Sequence, residues 1–379
     1  MCRPIYTDSY AQTDEDITGI GTHVVHVKVV KEVIKEVRKE VPKRMTCDLL
    51  EKLAEEKEAA TTSIDDDIDD EDDEPVSAKD RIFREYTGVK FQVLLALINL
   101  VSNFIYWDDG NKTFPNLPYR CRNFEMPLKD QILLTLIKLR CNFTIRHLSF
   151  LFGWSPSTIS EIFRQNLNIL NTLLKPLVNN HPNPALNLEV QANCFQKPLT
   201  NKVTTIIDCT DIRITNHRDD FVKNKSFYSE YRGGQTMKAL IGMSPACVIT
   251  FASSFFPGHT SDKAIVEESG FLNILHPGDT ILADKGFKMF ELLQKLPGVS
   301  LALPAFKTDD HLAPHQIIRS KELSSGRSNI ERLNERIKNF LIMGHLHHHY
   351  HDIASDALIV ICALVNLQNP IFSSLKKHF

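Results

Sequence analysis

Near residue 200 the apolar residues of this chain change their spacing. From about residue 80 to 180 they recur at helical intervals, and beyond it β-branched residues alternate as they do in strands. Phe91 to Ile105 reads as an apolar helix, and Trp107 to Cys121, with Pro115 and Pro118, as a polar and aromatic loop. Pro127 suits a first helical turn, and Asp130 to Arg140 carries Ile132, Leu133, Leu136, Ile137 and Leu139. Past the switch, Val203, Thr205 and Ile207 alternate with Thr204 and Ile206 into Asp208, followed by short runs at Ile212–Thr215, Met237–Met243 and Val248–Phe256. A helix over Asp262–Glu268, a strand over Thr280–Ala283 ending in Asp284, a helix near Met289–Leu296, a strand over Val299–Leu303 and two long C-terminal helices complete the pattern. Hairpin strands followed by alternating strands and helices predict an α/β (α+β) fold, a mixed sheet covered by helices.

Charge divides the chain at a different place. The net charge is −3, but residues 1–74 hold 10 Lys and Arg against 21 Asp and Glu, while residues 75–379 hold 34 against 26. Nine of the ten residues from Asp65 to Glu74 are acidic, a run that repels itself and predicts a disordered linker. The Lys/Arg-Glu-Val theme between Lys31 and Val41 places Val33, Val37 and Val41 on one face of a marginal, solvated helix; a short oligomerising helix is the sharper alternative. The expectation is a tail over residues 1–79, a helical region over 80–180 and an α/β domain over 195–372. A basic body favours a polyanionic partner. No apolar run approaches the length of a membrane span, and Asp14, Glu15 and Asp16 argue against a transit peptide. Eight cysteines with no C-x2-C pair disfavour a zinc finger or a disulfide scaffold and fit reduced, intracellular thiols.

Within the helical region, Thr144 caps a short helix with Ile145, Leu148, Leu151 and Phe152 facing inward, and Gly153 breaks it. Ser155 caps a second helix with Pro156 at its first position and Ile159, Ile162 and Phe163 behind. Two short helices joined at a glycine form a helix-turn-helix pattern over about 127–175, although a packing hairpin in any all-α domain has the same outline. The exposed face of the second helix would offer Ser157, Thr158, Glu161 and Arg164 to DNA.

Three carboxylates stand out by placement. Asp208 and Asp284 end buried-looking strands, and Glu331 opens a long amphipathic helix. Such acids can converge at the open edge of an α/β sheet and hold hard divalent cations through oxygen. Arg327, Glu331, Glu335 and Lys338 fall on one helix face, a pattern shared with ordinary i, i+4 salt-bridge ladders.

These blocks resemble the DDE-type transposase nucleases, specifically the PIF/Harbinger-like group and its relatives among bacterial insertion sequences. The resemblance covers about Pro127 to Asn369. It rests on Asp208-Cys209-Thr210, Tyr231-Arg232-Gly233 leading to Lys238, and Pro257-Gly258-His259 running to Asp262. Ala283-Asp284-Lys285-Gly286-Phe287 and the series Arg327, Glu331, Lys338 complete it, with Glu331 lying 47 positions after Asp284. It implies an RNase H-like catalytic core with a triad of Asp208, Asp284 and Glu331 holding Mg²⁺ or Mn²⁺, behind a helix-turn-helix. Asp262 is a rival for the second carboxylate, and Arg327 and Lys338 would meet phosphate. Ser324 stands where insertion-sequence relatives often have Tyr, and the cysteines do not supply the N-terminal zinc module of many animal relatives.

The expected function is metal-dependent hydrolysis of DNA phosphodiester bonds by a two-metal mechanism, the alternative being a domesticated protein of the same descent that binds DNA or a partner without cutting. A metallohydrolase of small phosphate esters fits the helix-turn-helix and the basic body less well. Double-stranded DNA is the expected partner, with a separate DNA-binding protein or self-association compatible with the pattern, and the nucleus is the expected location, with the cytoplasm second. Tyr228, Tyr231 and Arg232 suit either DNA contact or strand packing. His345, His347, His348, His349 and His351 form a run that invites a metal site, but contiguous members should point round the whole segment and only a pair such as His347–His351 shares a helical face, so a solvated or DNA-facing run is the expectation.

Overall fold

The computed structural model describes residues 44–61, 77–104, 106–108, 111–113, 122–179, 192–197, 200–215, 225–284, 286–287, 289–303 and 314–371. Met45–Phe379 form one compact unit; of the other, Met1–Arg44, only Arg44 is described. The Lys31–Val41 theme and the Asp65–Glu74 acidic run lie outside the described residues.

Among the described residues six α-helices precede the sheet: α1 (Cys47–Thr61), α2 (Ala78–Thr87), α3 (Phe91–Phe104), α4 (Leu128–Cys141), α5 (Ile145–Phe152) and α6 (Pro156–Leu174), with a small hairpin of β1 (Tyr106–Asp108) and β2 (Asn111–Thr113) after α3. Helix α4 is the hub. Ile132, Leu133, Leu134, Leu136, Ile137 and Leu139 are all fully buried, so no side of it can be polar without a partner. Its buried polar groups have such partners: Gln131 donates to the Met126 carbonyl and Thr135 to the Gln131 carbonyl.

Helix α1 corrects the expected extent of the tail. Residues 45–61 fold onto this bundle, with Met45, Cys47, Leu50 and Ala54 buried. The Met45 amide donates to the Leu151 carbonyl at 2.8 Å, and the Cys47 amide to Asp130 Oδ1 at 2.7 Å. The helix is charged on its remaining surface, which is why its sequence reads as tail: a few small or apolar residues suffice to dock it.

The sheet is built around β3 (Thr205–Ile214), with the other strands being β4 (Tyr228–Ser229), β5 (Gly234–Met243), β6 (Ile249–Ala252), β7 (Phe256–Pro257), β8 (Thr280–Leu282), β9 (Ser300–Ala302) and β10 (His345–Leu346). Strand β5 runs antiparallel along one edge of β3, from Ile206↔Met243 to Arg213↔Thr236, and carries β6 and β7 on its own ladders. On the other edge β8 pairs parallel at Thr205↔Ile281 and Ile206↔Leu282, and β10 pairs parallel at Arg213 and Ile214. Strand β9 extends the sheet parallel to β8. The two strands expected at Val203–Asp208 and Ile212–Thr215 are one, and Asp208 stands inside it rather than at its end. The polar run Asp208-Cys209-Thr210-Asp211 reads as an interruption, yet β5 pairs with every residue of it.

Four more helices cover the sheet: α7 (Asp262–Glu268), α8 (Phe290–Leu293), α9 (Pro314–Lys338) and α10 (Ala354–Asn366). Ile207 and Leu240 pack with Phe251, Ile265, Phe271, Ile281 and Phe287 in one core layer. Ile330, Leu333 and Ile337 bury a stripe of α9, which packs against β3, and α10 is buried almost throughout from Ala357 to Val365. No single described helix is long and apolar enough to cross a membrane.

Candidate active site

Register explains why an aspartate in mid-strand is reachable. The β8 ladder holds β3 only at Thr205 and Ile206, and the β10 ladder only at Arg213 and Ile214. Between them lies 207–212, an edge that no described strand occupies. Counting two places on from Ile206↔Leu282 sets Asp208 level with Asp284, where the chain has left β8. Parting parallel strands leave a crevice of the kind in which α/β sheets bind ligands.

Side chains from three elements meet there. Arg327 on α9 reaches Asp284 Oδ1 at 3.0 Å through one terminal nitrogen and Glu331 Oε1 at 3.7 Å through the other. Its side chain is 16% exposed, whereas Asp284 and Glu331 are 47% and 59% exposed, so a sheltered guanidinium holds two accessible carboxylates. Asp208, half-buried on β3, accepts a hydrogen bond from Asn334 Nδ2 at 2.9 Å. Burial pushes the Asp208 carboxyl up to about 6; Arg327 opposes that rise, while Glu331 and Asp262 add to it. Asp208, Asp284 and Glu331 therefore gather round one arginine.

Asp262, the rival, arrives from α7 with partners of its own. Its Oδ1 receives Lys238 Nζ at 3.1 Å, and the Cys209 thiol, kept protonated by burial and by the Asp262 and Asp208 charges, hydrogen-bonds to it. Asp208 and Cys209 are adjacent on β3 and so face opposite sides of the sheet. Asp262 remains close enough for its charge to raise the pKa of Asp208, and a Cβ on Gly286 would lie 3.6 Å from Asp262 Oδ2. Lys338, expected to meet phosphate, sits at the far end of α9 near Arg232, Asp211 and Asp208; burial and the Arg232 charge lower its pKa. Arg232 itself pairs with Asp211 at 3.2 Å.

The donor set suits a hard divalent cation. Every acid in the crevice offers oxygen, burial makes Asp208 less acidic than an ordinary carboxyl, and Arg327 Nε is buried without a hydrogen-bond partner among the described residues. A guanidinium clamping carboxylates stands where a metal cation would neutralise them.

Beside the crevice runs a groove of about 1230 Å³ lined by Lys225, Tyr228, Tyr231, Lys238, His259 and Asp262, among others. Tyr231 is 85% exposed, with the Arg232 guanidinium over its ring at 5.1 Å. Strand packing therefore does not account for this tyrosine.

The helix-turn-helix forms as its caps dictate. Thr144 accepts from the His147 amide, Gly153 takes the left-handed conformation (φ 69°), and Ser155 accepts from the Thr158 amide with Pro156 next. Ser157 is exposed and Thr158 half-buried, and both hydroxyls contact Ser155 Oγ, at 2.9 and 2.8 Å. Arg164 is engaged within the fold, bonded to Asp352 and to the His349 carbonyl. Glu161 pairs with Arg122 at 2.5 Å. Asn334 has no part in the sequence motifs and Cys209 enters them only as a neighbour of Asp208; the position of Asn334, one turn beyond Glu331 on the same helix, is the one signal that could have marked it.

Comparison with known proteins agrees with this architecture. Residues 207–366 match the DDE superfamily endonuclease family, and residues 124–176 match the helix-turn-helix of DDE superfamily endonuclease. A probable transposase for insertion sequence element IS702 from Microchaete diplosiphon is 22% identical over 273 residues, covering 72% of this chain and 88% of that protein. No solved structure matches. The segment that gathers the acids and the one that forms the paired helices match the same superfamily: the chain belongs to the DDE superfamily transposase type, with a helix-turn-helix ahead of its core.

Proposed function

We propose that the chain is a metal-dependent DNA endonuclease whose centre is Asp208, Asp284 and Glu331 on an RNase H-like sheet. The observation that carries this reading is the shared arginine: Arg327 touches Asp284 and Glu331 and is the leading positive charge acting on Asp208. The strand order supports it, with a central strand flanked by an antiparallel hairpin partner and by two parallel strands. Divalent ions such as Mg²⁺ or Mn²⁺, when bound, neutralise a phosphodiester and activate water for in-line attack.

The chain's own residues divide the remaining tasks. Asp208 and Asp284 supply the paired oxygens, and Glu331 completes the set from α9. Asn334 holds the Asp208 carboxylate by its Oδ2 and fixes its orientation. Arg327, sheltered and paired with Asp284 and Glu331, is the guanidinium at the crevice that would meet a phosphate oxygen. Asp262 is the poorer candidate for the triad because Lys238 and Cys209 already occupy it. Tyr231 and Tyr228 offer flat faces to bases along the groove, and Lys225 offers charge to the backbone. The exposed N-terminal turn of α6, at Ser157 and Thr158, is the surface that enters duplex DNA, with Arg164 kept for holding α6 to the His348–Ile353 turn.

Incubation of the purified chain with supercoiled plasmid in Mg²⁺, in Mn²⁺ and in EDTA tests the proposal. Nicked or linear product in either metal and none in EDTA supports it. DNA binding without product in any metal overturns it in favour of a non-cleaving binding protein.

A further inference from the structure

The histidine run behaves differently from the expectation for contiguous residues. On a regular helix three successive side chains diverge by about 100° each. Here the backbone passes from strand β10 (His345–Leu346) through extended His347, with φ −74° and ψ 144°, into a 3₁₀ turn over His348–Ile353. That change of direction gathers the rings of His347, His348 and His349, whose centroids lie 4.1, 4.7 and 4.0 Å apart. One ring nitrogen from each lies within 4.8 Å of the others. His347 and His349 are exposed and His348 is half-buried, so the cluster is open to an ion from solvent.

The surroundings fix the backbone that carries these rings. The His348 amide donates to Thr215 Oγ1 at 2.8 Å, just past the end of β3. Arg164 of α6 donates to the His349 carbonyl at 2.7 Å, and Asn142, capping α4, reaches the His345 carbonyl at 3.3 Å. Tyr350 meets Phe163 of α6 edge-on at 6.1 Å and lies under Lys138 Nζ of α4 at 4.8 Å. The turn is thus the seam between the helix-turn-helix and the sheet. A contact at 3.4 Å from the His349 amide to His347 Nδ1 is long and easily exchanged.

We propose that His347, His348 and His349 form a zinc site on the turn between the helix-turn-helix and the core. Three imidazoles with a water in the fourth position are a donor set for Zn²⁺, at roughly 2.0–2.1 Å per nitrogen; the rings now lie stacked or tilted at 30–47° to one another, and they turn about their side-chain bonds to aim a nitrogen each at one ion. Nitrogen donors select zinc, copper or nickel over magnesium, so this site differs in chemistry from the oxygen-lined crevice. The reading does not depend on whether the crevice cuts DNA.

The test uses the full chain, freed of any affinity tag and stripped with EDTA, titrated with Zn²⁺ against a chromogenic chelator in a large excess of Mg²⁺. One Zn²⁺ per chain, with a higher melting temperature than the stripped protein, is the expected result. His347→Gln and His349→Gln, at exposed positions that leave the fold intact, should each weaken binding by more than about tenfold, the lower range for losing even a supporting partner. His345→Gln and Asp284→Asn should bind zinc as the wild type does. Zinc bound without a rise in melting temperature, or weakened equally by His345→Gln and His349→Gln, would show a loose histidine tract rather than a site and overturn the proposal. Loss of zinc in Asp284→Asn would move the ion to the crevice and overturn it as well.

Discussion

Asp208 is a carboxylate placed where ionisation is unfavourable until positive charge arrives. Its pKa rises from 3.8 to about 6, chiefly through burial. A carboxylate raised in the fold contributes fully to stability below its ordinary value and loses that contribution as pH climbs through about 6. Metal-free protein should therefore lose melting temperature between pH 4 and 7 more steeply than Asp208→Asn, which has no such proton to give up; parallel curves would contradict the burial argument. Asn334 is the companion case. Asn334→Leu removes the donor to Asp208 and should weaken Mn²⁺ binding by about tenfold or more while circular dichroism stays unchanged. The three acids proposed for the centre could be named from the sequence because each sits in a compact motif. The roles of Asn334 and Cys209 could not, since they come from which side of α9 and of β3 meets a carboxylate, and that is fixed only by packing.

At the scale of elements, the helix-turn-helix was readable because capping is local chemistry: a hydroxyl at Thr144 and Ser155, a glycine at 153 and a proline at 156 state their geometry without tertiary help. Ser155→Ala should cost roughly 1 kcal/mol, read as a lower melting temperature, and should weaken duplex binding without changing the crevice. The loop leading to Asp262 is more tightly set. A Cβ at Gly258 would fall 2.1 Å from Thr236 Oγ1 and 2.8 Å from the Phe227 carbonyl, so Gly258→Ala must displace β5 or the groove wall. That variant should lose plasmid cleavage while duplex binding through α6 persists, measured by gel shift alongside cleavage. The continuity of β3 was hidden for the opposite reason. Its polar middle departs from strand patterning, and only the β5 ladder shows that the strand carries on.

Across the whole molecule, an acid-rich N-terminal segment is followed by a helix-turn-helix unit and a sheet that gathers the three acids. The helical unit begins earlier than its apolar pattern suggests, because α1 docks through Met45, Cys47, Leu50 and Ala54 and its amide bond to Asp130. A chain beginning at residue 45 should melt with the full-length protein, and one beginning at residue 77 should lose on the order of 3 kcal/mol from that burial, read by urea unfolding. The central claim is that one centre made by Asp208, Asp284 and Glu331 cuts DNA, with Asp262 beside it in another role. Single-turnover cleavage of one duplex in Mn²⁺ by Asp208→Asn, Asp284→Asn, Glu331→Gln and Asp262→Asn, compared with wild type, tests it most directly. The account predicts background rates for the first three and measurable residual cleavage for Asp262→Asn. Background for Asp262→Asn with cleavage retained in Asp284→Asn would contradict it.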